Sequence, residues 1–320
     1  MKLRVFETFA GYGGAAFGLK KNKIPFEIIG YSEIDKFASE LYELNHPGSI
    51  NFGDISKINS KTLPDFDLLT GGFPCQPFSN AGKGMGEDDE RGQLIWDVVR
   101  ICREKKNKPK YILLENVKGF ASKRHELTRA KLFNELYKMN YKVVSAVLNS
   151  ANYGNSQTRQ RFWILAIYKP KINIDNFFEI PFSSKKVKFS DFLDKDPSKF
   201  LYLTQDQCKH LIKKHGVNLN VPTSLCLDIY NKKIKYDESC ITLTEPHHNG
   251  LRVVEPMIGA NYKVRKLSVE EMFKLMGLSK SDIKTDGFSY FQLAKRAANG
   301  WDVTVVKKIF KKLLLENGKI

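Results

Sequence analysis

Nothing in the chain approaches the about 20 consecutive apolar residues that a membrane-spanning helix needs, so no such helix is expected. The opening stretch, MKLRVFETFAGYGG, has one short apolar run and no cleavage-site pattern, so no signal peptide is expected either. Cysteine is sparse: Cys75, Cys102, Cys208, Cys226 and Cys240, an odd number with no Cys-x-x-Cys pair. That argues against a disulfide scaffold or a zinc framework and suits a reducing cytoplasm. His247-His248 has no further ligands at metal spacing and reads as loop, so no metal is expected. There are no internal repeats and no low-complexity tracts. Acidic residues are also short, 35 against 52 Lys and Arg, which leaves a net charge of +17. A polyanionic partner is the natural reading of that charge, although a Lys-rich composition alone would produce the same number. The excess is uneven, because residues 171–260 hold 13 basic against 11 acidic residues.

What is present centres on residues 71–79, GGFPCQPFS. An apolar run from Phe66 to Leu69 reads as a short buried strand. Two glycines open a tight turn after it, and Pro74 and Pro77 stiffen the backbone on either side of Cys75. A thiol braced just past a strand end is how an α/β protein presents a nucleophile. A cysteine that only filled core space would have no use for the bracing.

The rest of the chain fits the same plan. LRVFETF at 3–9 predicts a first strand, AGYGG a Gly-rich turn, and the stretch through Phe17 to Lys21 a helix. That order suits a nucleotide, because glycines let the backbone approach closely, although an ordinary βα turn would use the same residues. FEIIGYSE predicts a second strand ending at Glu33. An acid there can hold a ribose hydroxyl, and it also suits the start of a helix from Asp35 to Asn45. Asp54 could accept from an adenine amino group while Ile55 packs on the ring; a turn or cap would explain Asp54 as well. Residues 80–92 are polar and Gly-rich, as a lid over a substrate would be. A helix is expected from Gln93 to Arg103.

YILLENVKGF (111–120) predicts a buried strand that ends in Glu115-Asn116, on the same sheet edge as Cys75. A helix (127–139) and a strand (142–148) follow. In QTRQRFW, Arg159 and Arg161 stand two apart, so on an extended chain they share one face and aim at one place. Residues 169–261 lose the strand–helix alternation and read as a smaller second domain of short strands and loops. From Val264 the α/β character returns, with a Ser268–Glu271 capping box and a closing amphipathic helix that would pack on the sheet.

In this order the motifs resemble the cytosine-5 DNA methyltransferases, bacterial type, over residues 3–315. FAGYGG resembles the first methyl-donor motif, GFPCQPFS the catalytic Pro-Cys motif, ENVKG and QTRQRFW the two remaining catalytic motifs, and RKLSVEEMFKLMG the late helix. Three places depart from the pattern, one of them being residues 169–261, which match the family's target-recognition region only in general layout. Ile34 stands where the family often has Trp, and Arg296-Ala297-Ala298-Asn299-Gly300-Trp301 replaces the usual Gln-x-Gly-Asn-Ser-Val.

The resemblance implies an α/β fold with a mixed, mostly parallel Rossmann-like methyltransferase sheet and an inserted smaller target-recognition domain. Residues 1–168 and 262–320 would form the catalytic domain and 169–261 the recognition domain. Cys75, Glu115, Arg159 and Arg161 would be catalytic. S-adenosyl-L-methionine would be the cofactor, against Phe9, Ala10, Gly11, Tyr12, Gly13, Gly14, Glu33, Ile34, Asp54, Ile55, Pro74, Leu94, Asn299 and Gly300. DNA would meet Ser79, Lys83, Thr242 and Thr244. The implied activity is site-specific methylation of cytosine carbon 5 in duplex DNA by a cytoplasmic monomer, a cognate restriction endonuclease being left open. The alternatives are the tRNA-methylating branch of the family, which carries a Cys-Phe-Thr element that this chain lacks, and a catalytically idle DNA-binding relative, against which the intact Cys75, Glu115 and Arg161 count.

Overall fold

The structure, a computed structural model, describes residues 2–74, 90–245, 250–256 and 262–316. The chain divides into two compact units. One comprises Met1–Leu148, Gln160–Pro181 and Val305–Ile320, the other Asn149–Arg159 and Phe182–Thr304. These bounds differ from those drawn on composition, because 262–304 is as regularly helical as the first unit yet clusters with the second.

The first unit is built on a six-stranded sheet. Its strands are β1 (Leu3–Thr8), β2 (Phe26–Ser32), β3 (Leu68–Gly72), β4 (Tyr111–Val117), β5 (Tyr141–Asn149) and, after a two-residue β6 (Gln157–Thr158) that lies outside it, β7 (Gln160–Tyr168). The order is β2-β1-β3-β4-β7-β5. β1 runs parallel to β2 and β3, β3 parallel to β4, and β7 antiparallel to β4. The sheet is thus mixed and mostly parallel. Buried strands such as YILLENV are apolar on both faces, as a sheet covered by helices requires. Phe6, Leu69, Ile112, Leu114, Phe162 and Ile164 form one core with residues of α3 (Glu90–Glu104) and α4 (Glu126–Lys138). α1 (Gly14–Lys21) and α2 (Lys36–Asn45) lie on the opposite face, where Glu7 points. A Cβ on Gly18 of α1 would meet Val306 at 2.8 Å, so the closing helix, expected on the sheet, packs against α1.

The strand order reverses between β1 and β3. Loops leaving those two strands turn to opposite faces and open a crevice at the carboxyl edge, where ligands bind in open α/β sheets. The predicted lid, residues 80–92, lies outside the described residues except for 90–92, which already belong to α3.

The second unit has an antiparallel sheet ordered β12-β11-β8-β9, namely Tyr262–Arg265, Leu251–Pro256, Leu225–Asp228 and Lys233–Lys235. A short β10 (Cys240–Ile241) pairs with β6. The reading of this region as strands and loops needs a correction: α5 spans Gln205–His215 and packs Cys208 and Leu211 on the sheet. The Ser268–Glu271 capping box opens α6 (Val269–Leu275) as predicted. Glu271 also pairs fork to fork with Arg265, at 2.8 and 2.7 Å, both side chains fully buried. α7 (Tyr290–Asn299) follows, and α8 (Val303–Phe310), which belongs to the first unit from Val305 on, runs into a π-helical stretch at Lys311–Glu316.

Candidate active site

The Gly-rich turn after β1 is shaped by backbone conformation. Phe9, Gly11 and Gly13 all take positive φ (51°, 57° and 83°). The value at Phe9 is uncommon for a side-chain-bearing residue, and such outliers gather where a ligand is held. A Cβ on Gly13 would come within 2.3 Å of His46 Nε2, whereas beside Gly11 there is open space. The turn is therefore closed behind and open in front, as a cradle for a ligand would be. Ala10, Tyr12, Gly13 and Gly14 are buried in its wall.

Behind the turn stands a carboxylate that the motifs did not flag. Glu7 is fully buried, accepts from Tyr42 Oη at 2.9 Å, and receives the N–H groups of Ala15 and Ala16 at the start of α1. Burial pushes its pKa up to about 7 despite these bonds. Burial likewise pushes His46 down to about 4, so the imidazole beside the turn is neutral at pH 7. A charged residue inside LRVFETF was the available sign that this strand carries more than packing.

Glu33 follows β2 and reaches across to the turn. Its Oε2 accepts from Gly11 N–H and its Oε1 from Asp35 N–H, both at 2.9 Å. A carboxylate has about four acceptor positions, so two remain for a pair of hydroxyls. The helix-start reading of Glu33 is seen in its bond to Asp35, and the two remaining positions are those the ribose reading would use. Ile34 beside it is 76% exposed. Asn51, which sequence reasoning missed, ties the 50–54 segment to this strand tip by accepting from Glu33 N–H and donating to Glu33 O. No single-sequence signal marks that asparagine.

Asp54 accepts from Ser56 N–H at 3.0 Å and from Ser56 Oγ at 2.8 Å, and these bonds lower its pKa. It is a cap, as its alternative reading had it. Ile55 departs from expectation: its side chain is 2% exposed and sealed in the core with Phe6 and Phe66, not offered to a ring.

Cys75, with Ser79 and Lys83, lies outside the described residues, as does His247-His248. The approach to Cys75 is described and is tightly held. A Cβ on Gly71 would strike Thr8 Oγ1 at 2.3 Å, so only glycine lets β3 lie against β1 here. Phe73 is buried edge-on against Phe120, and its carbonyl accepts from Asn116 Nδ2 at 3.2 Å. Pro74 follows, half-buried. Leu94 packs from α3 against the same core.

Glu115 and Arg161 meet on this edge. In the β4–β7 ladder Glu115 faces Trp163 and Val117 faces Arg161. Arg161 is then the diagonal neighbour of Glu115 on one face, within reach of a long side chain. Its Nε lies 3.0 Å from Glu115 Oε1, and both side chains are largely buried. The antiparallel turn of β7 is what brings an arginine from a strand start beside a carboxylate from a strand end.

Arg159 does not share that face, which corrects the expectation from spacing. β6 stops at Thr158, Arg159 N–H turns back to Gln157 O, and β7 starts only at Gln160. The Arg159 side chain, 2% exposed, donates to three main-chain carbonyls of the second unit: Leu243, Ala298 and Gly300. It clamps the chain beside Thr242 and Thr244 to the end of α7. Gln157 holds the same stretch by accepting from Leu243 N–H. Thr242 Oγ1 is spent on Thr158 O at 2.7 Å, and Thr244 is half-buried. Asn299 donates to Glu245 at 2.6 Å, while Gly300 caps α7.

An open sheet that gathers a Gly-rich turn, an acid past the second strand and a carboxylate–guanidinium pair on one edge is a Rossmann-like methyltransferase sheet. The chain belongs to the C-5 cytosine-specific DNA methylase family, whose profile matches residues 3–315. The type II methyltransferase M.HhaI of Haemophilus parahaemolyticus is 35% identical over 281 residues, covering 86% of this chain and 84% of that protein. M.SsoII of Shigella sonnei is 30% identical over 315 residues, covering 98% and 80%. The crystal structure of S. pombe Dnmt2 methyltransferase superposes with a TM-score of 0.74 at 22% identity over the whole of both chains, a likeness of fold.

Proposed function

We propose that this protein methylates carbon 5 of cytosine at a specific site in duplex DNA, with S-adenosyl-L-methionine as donor. The observation that carries the reading is the Glu115–Arg161 pair, placed beside the anchored Phe73–Pro74 segment that leads into Cys75. Cytosine carbon 5 is a poor nucleophile. Addition of the Cys75 thiolate at carbon 6 converts the ring to an enamine with electron density at carbon 5. Glu115 supplies a proton or hydrogen bond at ring nitrogen 3 as charge develops, and Arg161 orients Glu115 and holds the ring carbonyl. When bound, the donor would supply an electrophilic methyl group on a sulfonium; once carbon 5 carries the methyl group it loses its proton to a base, and the Cys75–carbon 6 bond breaks to release the thiolate. The target atom is shielded inside a duplex, so the base is flipped out before reaction.

Duplex DNA is favoured over tRNA by the lack of Cys-Phe-Thr and by the relatives named type II methyltransferases. Incubation with labelled donor and either substrate tests the reading. Label in duplex DNA at carbon 5 supports it; label in tRNA alone, or in neither, overturns it.

The donor site makes a separate prediction. Glu33→Gln should weaken S-adenosylmethionine binding by roughly 1–3 kcal/mol, the cost of a lost charged partner. Asp54→Asn keeps the turn capped, so any loss there reports a contact with the donor. Unchanged affinity by calorimetry in both variants would show that these acids only shape the fold.

We assign sequence recognition to residues 169–261. Their near-balanced charge fits base readout by a few placed side chains, while phosphate contacts elsewhere carry the salt-dependent affinity. A chimaera carrying 169–261 of a relative with another target should switch the methylated site in bisulfite sequencing. A folded, active chimaera that keeps the original site contradicts this assignment.

A further inference from the structure

Within the second unit, β11, the residues just after β12 and the first turn of α7 enclose a cleft that the catalytic reading does not use. Its lining includes two cations, Arg252 and Lys266, and no carboxylate. Neither cation forms a salt bridge among the described residues. Arg252 donates to the neighbouring Leu251 O, and its buried Nε has no hydrogen-bond partner among the described residues. Lys266 Nζ is held only 6.0 Å from the ring centre of Tyr290 and 5.8 Å from that of Phe291. A partly desolvated guanidinium without an acid is costly unless an anion completes it. Guanidinium forks match phosphate oxygens especially well.

The aromatic side of the cleft is as unusual as the charged side. Tyr290 is fixed, donating its hydroxyl to Leu267 O at 2.9 Å and standing edge-on to Phe291 and Phe200. Phe291 is 63% and Phe200 71% exposed. Large exposed rings next to unpaired cations form an amphipathic surface that suits a sugar–phosphate chain better than a protein core. β11 also follows shortly after the chain segment bearing Thr242 and Thr244, so the cleft adjoins the candidate target-reading stretch in sequence.

We infer that this cleft is a second DNA contact, in which Arg252 and Lys266 hold one or two backbone phosphates of the duplex and Phe291 lies against the adjoining deoxyribose. The inference rests on the proposed function, since its occupant is the same DNA. A contact of this kind anchors the duplex without reading bases.

The test is the salt dependence of binding by the full chain to a duplex containing its site and to one lacking it. Arg252→Gln, Lys266→Gln and the pair are compared with wild type. Each lost phosphate contact should lower the slope of log affinity against log salt by about 1 and weaken both duplexes alike, by about tenfold each at moderate salt. Phe291→Ser should weaken both duplexes with no change of slope. S-adenosylmethionine affinity checks that each variant is folded, and Lys266→Gln, at a half-buried position without a salt bridge among the described residues, keeps the test open if Arg252→Gln is not. Unchanged slopes in folded variants of an enzyme whose wild type methylates duplex DNA overturn the cleft alone. A wild type that binds and methylates RNA but not duplex DNA overturns both the cleft and the functional reading.

Discussion

Cys75→Ser should abolish methyl transfer while leaving donor and DNA binding close to wild type. The substitution keeps size and hydrogen-bonding capacity but replaces a thiol with a hydroxyl, which gives up its proton and adds to carbon 6 far less readily. Among the described residues of this edge, Glu115 is engaged by Arg161 and so cannot take over addition to carbon 6. The loss should exceed about 10⁴-fold, some 5–6 kcal/mol in barrier. Binding should survive because the chain up to Pro74 is positioned by contacts that do not involve the thiol. Gly71 fits against Thr8, Phe73 packs on Phe120, and Asn116 grips the Phe73 carbonyl. Single-turnover transfer from labelled donor decides the matter. Residual turnover within about tenfold of wild type, a difference of ~1.4 kcal/mol, would exclude Cys75 as nucleophile.

The parts of this protein that were legible in sequence are those fixed by local chemistry. Apolar runs gave the buried strands, glycines marked the turn after β1, and Ser268–Glu271 marked the start of α6 because a capping box is a local device. The same device was present and overlooked at Thr204–Gln207. Leu203, Cys208, Leu211 and Ile212 there carry helical periodicity, and Gly216 ends α5 in the left-handed conformation. Arg159 could not have been placed from spacing. Two residues apart means one face only on an unbroken strand, and the break between β6 and β7 depends on carbonyls from residues 243, 298 and 300, remote in sequence. Asn51 and Ile55 were lost for the same reason: a fastener and a core residue are defined by what packs against them. Glu7 lay between, since a lone charge in a buried strand is visible in sequence, but its partners Tyr42 and the start of α1 are not.

Glu115→Gln and Arg161→Lys should each slow methyl transfer by about 10²–10³-fold, roughly 2.7–4 kcal/mol, the scale of one lost acid or charge-stabilising contact. Glutamine cannot deliver a proton to ring nitrogen 3. Lysine keeps the charge but loses the planar fork, and with it the ability to hold Glu115 and a ring carbonyl together. The 3.0 Å contact across the β4–β7 diagonal makes the two residues one device. Removing either should therefore disable most of what the other does, and the double variant should fall well short of the summed losses, with a coupling of about 1–3 kcal/mol. Cys75 remains intact in all three variants, so rates above background should persist and can be measured in single turnovers at saturating DNA and donor. Thermal unfolding controls for the cost of leaving one partner of a largely buried pair unmatched. Additive losses in stable variants would mean that Glu115 and Arg161 act independently, and rates within tenfold of wild type would remove the pair from the chemistry.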